Sequence, residues 1–348
     1  MLRGVAALGV FASHWRDLFF PDYTHTYNPL KIAFYLFTGL GHEWVIVFFV
    51  LSGYLVGGSV LRATQWKWGK YLFARFTRLY IVLIPALVLG AVFDAAGIHL
   101  FGISGLYGGH STVHSLQFST AERLTKTVFA GNLFFFQTIL VPTFGSNGPL
   151  WSLANEFWYY IMFPLLVLGI RKRNALYLLG LLCVAAFAGK GILFLGIAWL
   201  MGVAIHFVPK VSFAGAEFLA ILFLATTLVS AKIYHVRFSD LVIGSSVMVF
   251  IYFFSSSETD SKYSSFAHFL SRSSYTLYLV HVPALVFIAA WLHHSMIVSV
   301  IAFIGVFGYA QAVWYFCERH TDTLRKWISS IASRGSERIL IGKHGDSL

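Results

Sequence analysis

The sequence predicts an all-α, polytopic integral membrane bundle of about ten transmembrane helices, with both termini on the cytoplasmic side. Three observations carry that expectation. Hydrophobic residues make up 58% of the chain and charged residues 11%, against about 25% charged in soluble domains, and the mean hydropathy is +0.74. Apolar windows long enough to cross a hydrocarbon core of about 30 Å, which takes about 20 helical residues, recur along the chain. Lys and Arg gather in short runs between those windows, as cytoplasmic loops do. The net charge of +11 therefore reflects topology, and nucleic acid is not an expected partner.

The windows fall near residues 2–20, 38–60, 79–97, 150–170, 174–189, 191–208, 213–231, 238–256, 274–293 and 296–317. One further apolar stretch, TVFAGNLFFFQTILV at 127–141, is short and interrupted by Gly131, Asn132 and Gln137. It reads as an interfacial or re-entrant element. Counting it as a span would throw the basic run Arg171–Arg173 to the outside, against the positive-inside rule. Residues 98–149 then form one long external loop, of a length that is uncommon unless functional. Residues 1–320 make the membrane domain and 321–348 a cytoplasmic tail. Cys183 and Cys317 each sit inside an apolar run, so neither a disulfide scaffold nor a metal site is expected.

RGVAALGVFASH opens the first window with Arg3 and His14 eleven residues apart. On an α-helix that spacing returns to within about 20° of the same face and rises about 16 Å. Arg3 then marks the cytoplasmic boundary and His14 lies about halfway across the bilayer. An ionisable group there costs at least about 2.5 kcal/mol on insertion scales, so it normally lines a protein interior or an aqueous cavity. In YLFARFTRLY, Arg75 and Arg78 stand at i and i+3 on one helix face, and two planar guanidinium forks make a phosphate clamp. A snorkelling or lipid-headgroup role is the alternative for such cations.

GPLWSLANEFWYYIMFPLL starts at the outer surface and carries Ser152, Asn155, Glu156 and Tyr159 at helical spacing. Glu156 lies about 9 Å below Leu150 by helical rise, a depth that makes it a candidate neighbour of His14, orienting the imidazole as a general base. SSYTLYLVHVPALVF adds Ser274, Tyr278 and His281 on a polar face. FFVLSGYLVGG places Ser52, Gly53 and Gly57 where helices approach closely. Glu318, after the last window, has the sign to pair with an inner arginine.

Taken together and in order, these stretches resemble the membrane-bound acyltransferase family 3, whose members O-acylate glycans and other extracytoplasmic acceptors. The resemblance covers nearly the whole chain. It implies transfer of an acyl group, commonly acetyl, from cytoplasmic acyl-CoA (acetyl-CoA) to an acceptor hydroxyl on the outer side of the inner (cytoplasmic) membrane. It also implies that His14 is the catalytic histidine, with Arg3, Arg75 and Arg78 its essential arginines. Joined to the spacing, it makes Glu156 the partner of His14, and Trp151, Ser152, Tyr159, Tyr278, His281, Glu43 and Glu318 substrate-contacting or supporting groups. The chain departs from the family at Ile46, where many members carry an acid; the nearest carboxylate is Glu43, about one turn outward. It departs again at Glu318–Arg319–His320, where Glu-x-Pro is common. A transporter or flippase for a glycan precursor is the rival reading, since it too needs buried His and Glu. The chain shows no repeat symmetry of the transporter kind.

Overall fold

In lipid every backbone amide must find its partner within the protein, and helices do this segment by segment. A computed structural model describes residues 1–24, 27–103, 105–109, 113–234, 239–255, 264–292 and 295–331. Twelve helices organise them: α1 (Leu2–Phe19), α2 (Pro29–Thr38), α3 (Gly41–Leu61), α4 (Trp68–Phe101), α5 (Lys126–Leu133), α6 (Leu150–Lys172), α7 (Ala175–Ala204), α8 (Ala216–Tyr234), α9 (Ser239–Phe254), α10 (Ser264–Arg272), α11 (Ser274–Trp291) and α12 (Met296–Phe316). A 3₁₀ turn at Glu318–His320 follows α12, and helix continues to Ile331. The rest of the expected tail lies outside the described residues. Among those residues the β-pairing is a single isolated bridge, Gln137 to Val141.

Local chemistry sets several of these boundaries. Asn28 caps α2, accepting from the Leu30 and Lys31 amides, with Pro29 at the first helical position, where its missing N–H costs nothing. Asn174 caps α7 and Ser295 caps α12 in the same way. Within α3 the turn Gly53–Gly57 widens to a π-helix.

Six helical segments among the described residues are long and apolar enough to cross a membrane: Gly41–Leu61, Trp68–Phe101, Leu150–Lys172, Ala175–Phe207, Ser274–Trp291 and Met296–Ile331. The chain is a multi-pass membrane protein, with fewer such segments than the ten windows in its sequence. α1 forms where expected, but Arg3, Arg16 and Asp17 dilute its apolar character. α9 has 16 residues, about 24 Å of helix. α7 merges two windows in one helical run that breaks at Gly189, where φ is 79° and ψ 170°. Its contacts with α6 show that the chain reverses there. Before the break Leu178 abuts Gly169 and Phe187 packs on Trp158. After it Ile192 accepts from the Tyr159 hydroxyl and Trp199 packs on Phe163.

Two features position the interior. The first is α11, whose residues Ser274 to Val286 are all buried; it packs against α1, α4 and α12. The second is the way the described residues between α4 and α6 are held over one end of the bundle. The Asp94 carboxylate on α4 accepts from the Ser146 amide (2.8 Å) and hydroxyl (2.7 Å). Asp17 on α1 accepts from the Ser115 amide (2.9 Å) and hydroxyl (2.6 Å). The 127–141 stretch becomes the short helix α5 and an irregular turn with positive φ at Phe135 and Thr138. Its carbonyls are satisfied by the bundle: the Tyr80 hydroxyl donates to Leu133 and the Trp158 indole to Phe135.

α3 and the second arm of α7 touch backbone to backbone. A Cβ on Gly202 would lie 1.9 Å from the Val50 carbonyl oxygen, and one on Gly53 1.8 Å from that of Trp199. Gly202→Val is therefore expected to destabilise the bundle by about 1–3 kcal/mol or more through overpacking. Its thermal midpoint in detergent should fall clearly below the wild-type value; an unchanged midpoint would contradict this contact.

Candidate active site

Arginine converges on one cavity, of about 360 Å³. Arg3 reaches it from α1, and Arg75 and Arg78 from one face of α4. The Arg75 guanidinium lies over the rings of Tyr71 (5.3 Å) and Tyr160 (5.6 Å) and donates to Ser59 Oγ at 3.2 Å. Arg78 lies over Tyr275 at 6.0 Å. Such cation–π contacts fix the forks without neutralising them.

A fourth guanidinium, Arg325, lines the same cavity. It donates to Thr77 Oγ1 (2.9 Å) and the Ala74 carbonyl (2.8 Å) and pairs with Asp322 (3.1 Å). Sequence reasoning missed it, having assigned residues 321–348 to a tail. Its sign and its position within a few turns of the last apolar window were the available signal.

Glu156 also lines the arginine cavity. One carboxylate oxygen accepts from Ser52 Oγ at 2.8 Å and from the Tyr160 hydroxyl, and Ser52 in turn accepts from the Trp199 indole at 3.2 Å. The expectation that Glu156 adjoins His14 is corrected here. Helical rise had placed them at one depth, but depth does not fix direction around the helix axis, and the two line different cavities.

His14 opens into a second cavity, of about 500 Å³, between the C-terminal half of α1, the start of α3 and the pinned loop. Ser115, Pro149 and Trp151 roof it, and Trp151 stacks with His42 at 6.1 Å and 19°. Among the described residues no carboxylate hydrogen-bonds the His14 ring. Its neighbour is His281, at 5.2 Å between ring centroids. His281 is wholly buried; its Nδ1 lies 2.8 Å from the Leu277 carbonyl oxygen. That contact makes Nδ1 the protonated nitrogen and Nε2 an acceptor. Nε2 is buried and meets no hydrogen-bond partner.

The two cavities share one lining residue, Tyr278. Its hydroxyl lies 2.6 Å from Ser152 Oγ and donates to the Pro149 carbonyl at 3.2 Å. α11 thus grades the interior along one face. Tyr275 stands among the arginines, Tyr278 at the junction and His281 beside His14, within about 9 Å of helical rise.

Three other candidates stand away from this path. The Tyr159 hydroxyl turns to α7, donating to the Ile192 carbonyl at 2.7 Å. Glu43, in the first turn of α3, lines neither cavity. Glu318 binds Thr276, accepting from its hydroxyl at 2.6 Å and its amide at 3.3 Å, and makes no ion pair with an arginine among the described residues. Its carboxylate was free to satisfy the start of α11 instead. No group of three or more His, Cys, Asp and Glu among the described residues could hold a metal ion.

A family profile described as an acyltransferase domain, of the acyltransferase 3 type, matches residues 1–319. The chain belongs to acyltransferase family 3. Acyltransferase MdmB of Streptomyces mycarofaciens is 29% identical over 178 residues, which cover 49% of this chain and 39% of that protein. The match thus spans about two fifths of that relative's length. No solved structure matches the chain. In this family-3 chain Arg325 lies just beyond the residues that the profile covers.

Four guanidiniums on one cavity should bind a multivalent phosphate. Inorganic pyrophosphate at about ten times its dissociation constant would stabilise the fold by about 1.4 kcal/mol. A rise in the thermal midpoint of the detergent-purified protein, smaller in Arg325→Gln, is the expected result. No rise at millimolar pyrophosphate would count against an anion site.

Proposed function

We propose that this chain is a transmembrane O-acyltransferase. It takes an acyl group, acetyl by default, from cytoplasmic acyl-CoA and passes it to a hydroxyl of an extracytoplasmic glycan such as exopolysaccharide or O-antigen. The observation that supports this most is the pair of unlike cavities meeting at Tyr278. One is ringed by arginines, which suits the phosphates of a nucleotide carrier. The other holds the histidine under a loop, which suits a hydroxyl acceptor. In this reading both termini face the cytoplasm and the protein sits in the inner membrane.

The chemistry follows the path between them. Arg3, Arg75, Arg78 and Arg325 hold the donor's phosphates at the mouth, and the pantetheine arm runs past Glu156 and Tyr160 to Tyr278. The acceptor hydroxyl, in the outer cavity, attacks the thioester carbonyl while His14 takes its proton. The tetrahedral intermediate collapses with rupture of the C–S bond; the acyl group stays on the acceptor oxygen, and the thiolate leaves towards the arginines and takes up a proton. At the junction the Tyr278 hydroxyl exchanges its bond to the Pro149 carbonyl for one to the oxyanion, while Ser152 holds it in place. In this reading His281 takes the carboxylate's place: its Nε2, without a partner in the structure, accepts the His14 ring N–H once substrates are bound, which leaves the other His14 nitrogen as base. Glu156 acts at a distance, holding Ser52 and Tyr160 against the cations.

General-base assistance supplies about 10²–10⁴-fold. Purified His14→Ala should therefore lose acyl transfer by at least that factor at an unchanged thermal midpoint, together with the slow hydrolysis of acetyl-CoA that the wild type should show without acceptor. Near-normal transfer by this variant would remove the proposal. Tyr278→Phe keeps the ring and deletes the oxyanion donor, so kcat should drop about 10²-fold with little change in KM for acetyl-CoA. A change confined to KM would place the hydroxyl in binding instead.

A further inference from the structure

The His14 cavity carries more positive charge than its acids balance. Arg16, two residues beyond His14, and Lys232, near the end of α8, both line it. The Arg16 guanidinium lies over the Tyr35 ring at 5.5 Å, and its Nε is buried with no hydrogen-bond partner. Lys232 Nζ donates to the Gly39 carbonyl at 3.1 Å. Neither cation belongs to an ion pair among the described residues, where His42 pairs with Asp240, His114 with Asp22 and Arg325 with Asp322. Asp17, the acid lining this cavity, is engaged by the Ser115 amide and hydroxyl.

A partly buried cation without a counter-charge is costly, and a ligand anion that supplies one recovers that cost. The stacked Trp151 and His42 rings add a flat face in the same cavity, of the kind against which a sugar ring packs. Resting on the acyltransferase reading above, we infer that the acceptor is an acidic sugar. It carries a carboxylate or phosphate that Arg16 and Lys232 bind while its hydroxyl faces His14. The anion is a specificity element and takes no part in the chemistry. Acyl transfer proceeds as already described, from thioester to hydroxyl, with the charged group unchanged.

The test compares methyl β-D-glucuronoside and glucose 6-phosphate with methyl β-D-glucoside, each as acceptor for acetyl-CoA and as competitor of acetyl-CoA hydrolysis by the purified wild type. At least one of the two anionic sugars should be acetylated, or should alter hydrolysis, at a tenfold or greater lower concentration than the neutral glycoside. Which of the two does so identifies the anion. Arg16→Gln and Lys232→Met should each erase that preference. Equal behaviour of charged and neutral sugars, including no effect of any, overturns the inference. So does a preference that survives both substitutions, or variants whose only defect is an altered requirement for phosphatidylglycerol. Persistence of His14-dependent hydrolysis in those cases leaves the acyltransferase reading standing, whereas its absence from the wild type sinks that reading instead.

Discussion

The structure depends on one constraint: from Ser274 to Val286 α11 has no lipid-facing side, yet it carries polar groups along that stretch. Ser274, Tyr275, Thr276, Tyr278 and His281 are all buried. In a membrane protein such groups must be satisfied by neighbouring helices or line a cavity. All but His281, whose Nε2 has no hydrogen-bond partner, find one of those two fates. Thr276 holds Glu318, Tyr275 donates to the Leu79 carbonyl at 3.2 Å, and Tyr278 meets Ser152. The helices that surround α11 are therefore not interchangeable packing partners. Their register against it decides which polar group faces which cavity.

That register also explains why the two acid–base groups suggested by the sequence do not meet. α6 presents Ser152 to the junction and Glu156 one turn further towards the cations. The site the histidine needs is filled from α11 by a second imidazole. A carboxylate beside His14 would sit close to the Asp17 that pins the loop, and like charges at short range disfavour each other. The histidine pair avoids that conflict, and its second member has its tautomer set by the helix carbonyl one turn back.

Much of this was legible in the sequence because helical geometry is regular. The spacing of Arg75 and Arg78 already put them on one face, and the structure brings Arg3 to the same cavity. The run of windows predicted an all-helical membrane fold, and the break at Gly189 coincides with the end of the 174–189 window. The pattern was silent on azimuth and on long-range return. A helical rise gives the depth of Glu156 but not the direction in which it points. Nothing local to Arg325 reveals that the chain after α12 folds back to the mouth of α4. The polar stripe on α6 divided for the same reason: Tyr159 has the right spacing, yet its hydroxyl donates to the Ile192 carbonyl just past the break in α7.

The π turn in α3 has a consequence for the length of that segment. Upstream of it Ser52 serves Glu156, and downstream Ser59 serves Arg75. A π turn takes in roughly one residue more than the α turn it replaces, so the extra residue sets the angular phase between those two hydroxyls. Tightening the same five residues into a regular α-helix, with none removed, would swing everything after them by about 100°, carrying Ser59 away from the guanidinium it steadies. The wide turn thus keeps the two anchor points in phase for a segment of this length, and losing a residue there preserves that phase only if the turn tightens to α at the same time.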